Sequence, residues 1–319
     1  MPQPHIGQVY IDEIQTNISV AYMQMQTGFI ATQVFPVVPV DRPTGKYFIF
    51  DKNDFMRDQM QVRPPGTESA GSGYRESTDG YSVDVFALHK DIDHQTRAAS
   101  MPPNDPDRNA TTWLTQMGLI KQEVQFANDY FKAGVWGTTK TGTTDFIKWS
   151  DYTSSDPIAN IRAAIRQVMV ISGMKPNRLV LGWDVWNILQ DHPQFIDRIS
   201  TTTTRILPEE MMANILGIDR VLVSGAVKAT NVEGGSPNYD FIQGKHALVV
   251  YASPTPALDT PSGGYTFMWQ GVSQGLGLNV GVTRFYIPEI KSDRLEIEMA
   301  WDNKVVAPDV GYFFENAVA

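Results

Sequence analysis

The densest group of side chains able to do chemistry is His89-Lys90-Asp91-Ile92-Asp93-His94. Two imidazoles and two carboxylates so close together have the donor types for a divalent cation. The competing reading, a solvated turn between a hairpin and a helix, is the one the sequence favours, and no metal is expected. Asp51-Lys52-Asn53-Asp54 lacks the glycine and distal glutamate of a calcium loop. Gly275-Leu276-Gly277-Leu278-Asn279-Val280-Gly281 is glycine-rich, but a dinucleotide fingerprint needs a helix to follow and a strand is expected there. No phosphate loop of the GxxxxGK[ST] type and no GxSxG elbow is present. Asn17-Ile18-Ser19 and Asn109-Ala110-Thr111 match glycosylation sequons, yet nothing in the chain indicates secretion. Trp183 and Trp186 have the faces to stack on a sugar or base, and their spacing on a short helix assigns them to core packing.

Composition narrows the chemistry further. The absence of cysteine removes disulfides, thiolate catalysis, zinc fingers and iron–sulfur clusters. Five histidines make a His-rich metal centre a poor expectation. Lys and Arg number 26 against 35 Asp and Glu, a net charge of −9. Nucleic-acid affinity comes mainly from Lys and Arg neutralising phosphate, so this is a poor DNA binder, suited at most to lie beside DNA without adhering. At 319 residues and 42% hydrophobic the chain can bury a substantial core. No apolar run approaches the roughly 18 residues of a membrane helix, and no basic patch precedes an apolar run at the N-terminus, so neither a membrane span nor a secretory signal is expected.

Residues 1–40 read as an arm. Ile11, Ile14, Ile18 and Tyr22 have helical spacing. The stretch Val34-Phe35-Pro36-Val37-Val38-Pro39-Val40 is apolar, and its two prolines exclude a helix or a central strand. Such a segment must lie on its own domain or on a neighbouring subunit, and both readings stay open here. Lys46–Phe50 and Tyr81–Phe86 read as strands flanking a long polar excursion centred on Pro64-Pro65-Gly66. An extended hairpin with a mobile tip results, and a hairpin alone is marginal in water. Its arms are expected to rest on something outside the domain.

A long helix follows, with Asp105 as N-cap, Pro106 in the first turn and Gly134 as stop. Trp113, Met117, Ile120, Val124, Ala127 and Phe131 form an apolar stripe along about 28 residues, or roughly 42 Å. Residues 156–280 read as an α/β unit. Asp156-Pro157 opens a helix that Gly173 ends, strands are expected at 178–181, 220–223 and 247–251, and short helices lie near 183–189, 194–198 and 208–216. Thr201–Thr204 is a loop, and Asn231–Asn238, with Gly234 and Gly235 inside, is a flexible excursion. Toward the C-terminus Leu295, Ile297, Met299 and Trp301 alternate with Arg294, Glu296, Glu298 and Ala300, a strand with one face buried. Residues 282–287 and 305–314 are expected to pair with it.

The order arm, hairpin, long helix, α/β unit and closing strands resembles the major capsid proteins of tailed bacteriophages, in the fold shared with encapsulins. Val34-Phe35-Pro36 resembles that family's arm-to-hairpin junction, and Asn177–Gly182 followed by Val185-Trp186 resembles the strand–helix step of its axial domain. Ile215-Leu216-Gly217-Ile218 before Val221–Val223 is similar to the next step, and Phe314-Glu315-Asn316 to capsid C-termini. The resemblance implies an α+β fold with an N-terminal arm (1–40), an extended hairpin loop (41–95), a peripheral domain with its spine helix (96–155), an axial α/β domain (156–280), and peripheral strands with the C-terminus (281–319). It implies a non-enzymatic subunit that assembles with itself, as hexamers and pentamers, into an icosahedral shell around double-stranded DNA. Scaffolding, portal and decoration proteins are the implied partners. The implied location is the virion, after assembly in the bacterial cytoplasm. Contacts between subunits are expected at Phe35, Pro36, Val37, Val38, Arg57, Arg63, Arg75, Gly234 and Gly235. Some relatives join a hairpin lysine covalently to a neighbour's asparagine, but this chain has no lysine from Asn53 through His89. The rival readings are an encapsulin-type shell and an α/β enzyme working through Asp and Glu.

Overall fold

The computed structural model describes residues 24, 26–50, 52–100, 105–199, 207–256, 261–273 and 280–319. A short helix α1 (Ala31–Val34) leads to strand β1 (Val37–Val40). A hairpin follows, built from β2 (Thr44–Phe50), the one-turn helix α2 (Lys52–Phe55) and β3 (Glu76–Ser82). Next come β4 (Asp84–Asp93), α3 (His94–Ala99), α4 (Pro106–Tyr130), β5 (Thr138–Thr141) and α5 (Pro157–Ser172). The middle of the chain forms β6 (Arg178–Gly182), α6 (Trp183–Gln190), α7 (Pro193–Ile199), α8 (Glu209–Leu216), β7 (Arg220–Ser224), β8 (Val227–Ala229), β9 (Tyr239–Phe241) and β10 (Ala247–Val250). The chain closes with β11 (Gly264–Trp269), β12 (Val280–Ile287), β13 (Ser292–Val305) and β14 (Gly311–Glu315). The helical arm segment at 11–22, the Thr201–Thr204 loop and Gly275–Asn279 lie outside the described residues.

Two five-stranded sheets carry the architecture. The first runs β5-β14-β10-β6-β7, with β6 parallel to β7 and β10 antiparallel to both β6 and β14. Its strands are continuous apolar runs because both faces are covered. Leu179, Leu181, Val221, Val223, Ala247 and Val249 face α5, α6 and α8, while Val180, Leu222, Leu248 and Phe313 face α4 and α1. The second sheet is organised on β13, which pairs antiparallel with β12, β11 and β4, and β1 adds in parallel to β11. Here the alternation in the sequence appears over most of the strand: Leu295, Ile297, Met299 and Trp301 are buried, and the intervening Arg294, Glu296 and Glu298 are partly solvated, whereas Ala300, expected on the solvated face, is buried in a cluster with Val83, Tyr265 and Phe267.

Helix α4 joins the two sheets. Asp105 caps it, accepting from the N–H groups of Asp107 (3.0 Å) and Arg108 (3.4 Å). It spans 25 residues, roughly 37 Å. Its first half places Ala110 and Leu114 in a cluster with Leu295, Ile297, Met299 and Trp301, and its second half places Phe126 and Tyr130 in a cluster with Val180, Leu222 and Leu248. Of the apolar stripe read from the sequence, Phe131, just past the helix end, is buried as expected, and the rest is displaced. Trp113 is exposed, Met117, Ile120, Val124 and Ala127 are half-buried, and the fully covered positions are Ala110, Leu114, Gln116, Gln122, Glu123, Phe126 and Tyr130. A helix clamped between two sheets buries more than one face, and three of its buried residues are polar. At Gly118 a Cβ would sit 2.7 Å from the Met299 sulfur, so glycine permits the close approach to β13.

Other expectations change as well. The strand expected at Tyr81–Phe86 is the junction of two: β3 ends at Ser82, and β4 leaves the hairpin to pair with β13. The segment 89–94 is consequently the end of β4 and the start of α3, not a turn. Residues 311–314 do not pair with β13; as β14 they sit between β10 and β5 in the first sheet. Trp186 is buried as expected, whereas Trp183 is 44% exposed and stacks on Phe241 at 6.4 Å.

Candidate assembly surface

The hairpin is anchored at its base and bare at its tip. Tyr47 and Tyr81 stack on Phe267 at 5.9 and 4.5 Å, Ser82 N–H donates to Asp302, and Lys52 pairs with Asp309. The base thus rests on its own chain, which revises the expectation that both arms need an external support. Beyond it, Phe50 packs edge to face with Phe55 and Tyr74, which are tilted against each other, at 5.6 to 5.8 Å, and Asp54 accepts from the backbone N–H (2.9 Å) and Nε (3.1 Å) of Arg75. These hydrogen bonds hold the Asp54 carboxyl below the usual carboxylate range. Arg63 Nε bonds the Thr67 carbonyl and closes a local turn. Arg57 is exposed. Met60 and Val62 are 94% and 95% exposed. Two large apolar side chains are thus left bare at the end of a braced hairpin. Burying each contributes about 1.5–3 kcal/mol. Sequence reasoning selected the arginines and passed over this pair, whose signal was two apolar residues isolated in a polar loop.

The arm residues behave differently. Phe35 is 1% exposed and packs on Tyr130 (4.6 Å), Trp136 (6.1 Å) and Phe126 (6.2 Å) of its own chain. The Pro36 carbonyl accepts from Thr266 N–H, and Val37 and Val38 pair with Thr266 and Phe267. Pro39 fits because β1 lies at the sheet edge. This stretch therefore takes the own-domain alternative. Gly234, with φ of +79°, and Gly235, whose N–H donates to Val232, form the exposed tip of the β8–β9 hairpin. Val232 and Tyr239 beside them are 80% and 67% exposed.

The would-be metal ligands diverge in their engagements. Asp91 makes a two-pronged pair with Arg294 (2.7 and 2.8 Å), which lowers its pKa. Asp93 caps α3 through Thr96, His94 stacks on Tyr286 at 5.3 Å, and His89 lies opposite Glu296. Among the described residues no three His, Asp or Glu side chains converge as a metal site. Changing His89 and His94 together to Gln is expected to shift stability by no more than about 1 kcal/mol, as for surface substitutions, and to leave assembly intact. Thermal melts and metal analysis check this; loss of a stoichiometric metal together with assembly would contradict it.

Among the described residues, Ser155 and His192 form a nucleophile–base contact whose hydrogen bonds run the wrong way for catalysis. His192 Nδ1 accepts from Gln194 N–H (3.3 Å), which places the ring proton on Nε2, 3.0 Å from Ser155 Oγ. The Ser155 hydroxyl donates to the Asp151 carbonyl at 2.6 Å. In this arrangement the imidazole donates to the serine rather than accepting its proton, and burial lowers the His192 pKa.

No family model matches the chain. It is 27% identical to the major capsid protein of Pseudomonas phage JBD67, over 97% of each chain. It is 23% identical to the major capsid protein of Burkholderia phage BcepMu, over 82% of this chain and 84% of that one. Its structure superposes on a phage-related protein from Bordetella bronchiseptica RB50 with a TM-score of 0.69 (22% identity, 92% and 94% covered). Against the capsid of cyanophage P-SCSP1u the TM-score is 0.65 (12% identity, 95% and 91% covered). Against the holo-SrpI encapsulin complex of Synechococcus elongatus PCC 7942 it is 0.51 (10% identity, 99% and 96% covered). The chain has the tailed-phage capsid fold shared with encapsulins.

Proposed function

We propose that this chain is a major capsid protein, which self-assembles into the icosahedral shell enclosing a phage's double-stranded DNA. The observation that carries the reading is the pairing of an end-to-end likeness to phage capsid proteins with a braced hairpin whose apolar tip is left exposed among the described residues. The subunit's work is structural. Within the extended-loop region (41–95), the tip of the 44–82 hairpin lies over a neighbouring subunit through Met60, Val62 and Arg57. The tip at Gly234 and Gly235, within the axial region 156–280, gathers round the symmetry axis of hexamers and pentamers. Residues 96–155 and 281–319 form the peripheral region and 1–40 the arm. The net charge of −9 suits a wall that must enclose DNA without binding it tightly. A scaffolding protein, a portal and a decoration protein complete the reading, with assembly in the host cytoplasm and the virion as destination.

The encapsulin likeness favours a second reading, a shell around a protein cargo. Nuclease-treated particles from lysed host cells separate the two. The first reading expects protected genome-length DNA, and a protein cargo without DNA would favour the second.

Subunits in this shell are held without covalent links. A cross-link to an asparagine needs a lysine whose neutral amine attacks the amide in a dry pocket. Lys46, Lys52 and Lys90 lie at the hairpin's base or beyond it, and Lys52 is engaged by Asp309. Arg57, Arg63 and Arg75 stay protonated and cannot attack. Particles boiled in detergent are expected to run as one band near 35.6 kDa. A ladder mapped to an isopeptide at one of the three lysines would contradict this.

A further inference from the structure

Glu123, in the second half of α4, has no accessible surface. It joins segments far apart in sequence. Oε2 accepts the N–H groups of Ile30 (3.0 Å) and Ala31 (2.9 Å) at the start of α1. Oε1 faces Ser224 Oγ (3.2 Å) at the end of β7 and bonds the side-chain amide nitrogen of Gln243, just beyond β9. Ser224 Oγ also meets Gln243 Oε1, so Glu123, Ser224 and Gln243 close a triangle of three hydrogen-bonding contacts.

The triangle can be counted in protons. The serine hydroxyl supplies one. The glutamine amide, showing oxygen to one neighbour and nitrogen to the other, supplies one whichever way it is turned. The third contact is oxygen to oxygen and needs a proton that neither group has. Turning the Ser224 proton to the Gly28 carbonyl, 3.5 Å away, leaves the triangle one proton shorter still. A carboxylic acid closes it: Glu123 donates to Ser224, Ser224 to Gln243 and Gln243 to Glu123.

We propose that Glu123 is held as a neutral carboxylic acid that locks the root of the arm to α4 and to the first sheet, and that its ionisation opens the lock. Burial, with no cation beside it among the described residues, acts in the same direction, raising the Glu123 pKa. Among the described residues the groups facing it are neutral: the α1 N–H groups, Ser224, Gln243 and the Gly28 carbonyl. Along α4, Lys121 lies over Phe86 at 4.8 Å and Asp129 bonds Gln125 and Asn303. Arg178 of β6 serves the opposite end of α1, donating to the carbonyls of Gln33 and Val34. A carboxyl whose folded pKa lies above its unfolded value contributes stability that is full below the unfolded pKa and lost as pH rises through the folded one. The lock is thus closed in acid and opens toward alkaline pH.

Glu123→Gln tests this in the full chain. The glutamine amide supplies the missing proton if Gln243 turns over, so the variant mimics the closed state at every pH. The infrared difference between wild type and E123Q at pH 7 is expected to show a carboxylic-acid carbonyl band that disappears on alkaline titration. Hydrogen exchange at Ile30 and Ala31, corrected for intrinsic rate, is expected to quicken at least about tenfold across that titration in wild type and to stay level in E123Q. If E123Q does not fold, the band is read in wild-type protein carrying carbon-13 glutamate. A carboxylate at pH 7 overturns the protonated state, and exchange that follows the same pH course in both proteins overturns the lock.

Discussion

A chain in which a short Gly-Ser turn replaces residues 57–73 is expected to fold normally and to form no shells. The deleted residues are almost all exposed, and the described hydrogen bonds of Arg63 and Thr67 run within the segment. The cut leaves the Asp54–Arg75 pair and the Phe50, Phe55 and Tyr74 cluster in place. Shortening a loop changes its closure entropy by only about 0.6 kcal/mol per halving, so the melting temperature is expected to move by a few degrees at most. Assembly should instead be lost, because Met60, Val62 and Arg57 go with the segment, and interfaces of this obligate kind often bury more than about 2,000 Å². Circular dichroism and sedimentation read the two effects separately. Normal shells from the shortened chain would remove the hairpin tip from the interface. An unfolded product would show that the tip belongs to the core.

Phe35→Ala is expected to destabilise the unassembled subunit by about 3–5 kcal/mol, the range for removing a buried aromatic ring. Phe35 fills a pocket of Phe126, Tyr130 and Trp136, and Trp136 is fixed by donating its indole N–H to the Tyr130 carbonyl at 2.7 Å. A residue that served only a neighbouring subunit would leave the isolated chain's unfolding curve unchanged. Denaturant unfolding of unassembled protein therefore decides where Phe35 acts.

Local chemistry made much of the fold legible. Asp156 accepts from Ala159 N–H, and Gly173 and Gly217 take φ of +69° and +70° at the ends of α5 and α8, as their residue types predict. The run Arg178–Leu181 and the alternation at 294–301 read directly as a covered strand and a half-solvated one. What failed was information held by distant partners. Val37–Val40 is extended, as its prolines require, but nothing nearby announces a partner in residues 266–269. The buried side of α4 was misplaced because Gln116, Gln122 and Glu123 are covered by neighbours the sequence does not place beside them. Arg63 and Arg75, expected at subunit contacts, also have partners within the hairpin that their charge alone does not announce. Met60 and Val62 stand out only once the structure shows how exposed they are among the described residues.

This subunit is expected to build a closed shell, and electron microscopy of the full-length protein, expressed together with phage head-assembly partners, reads that directly. Closed particles of uniform diameter are expected, with residues 57–73 of each subunit resolved against a neighbour. A monomer that stays dispersed at high concentration with every such partner supplied would contradict the account.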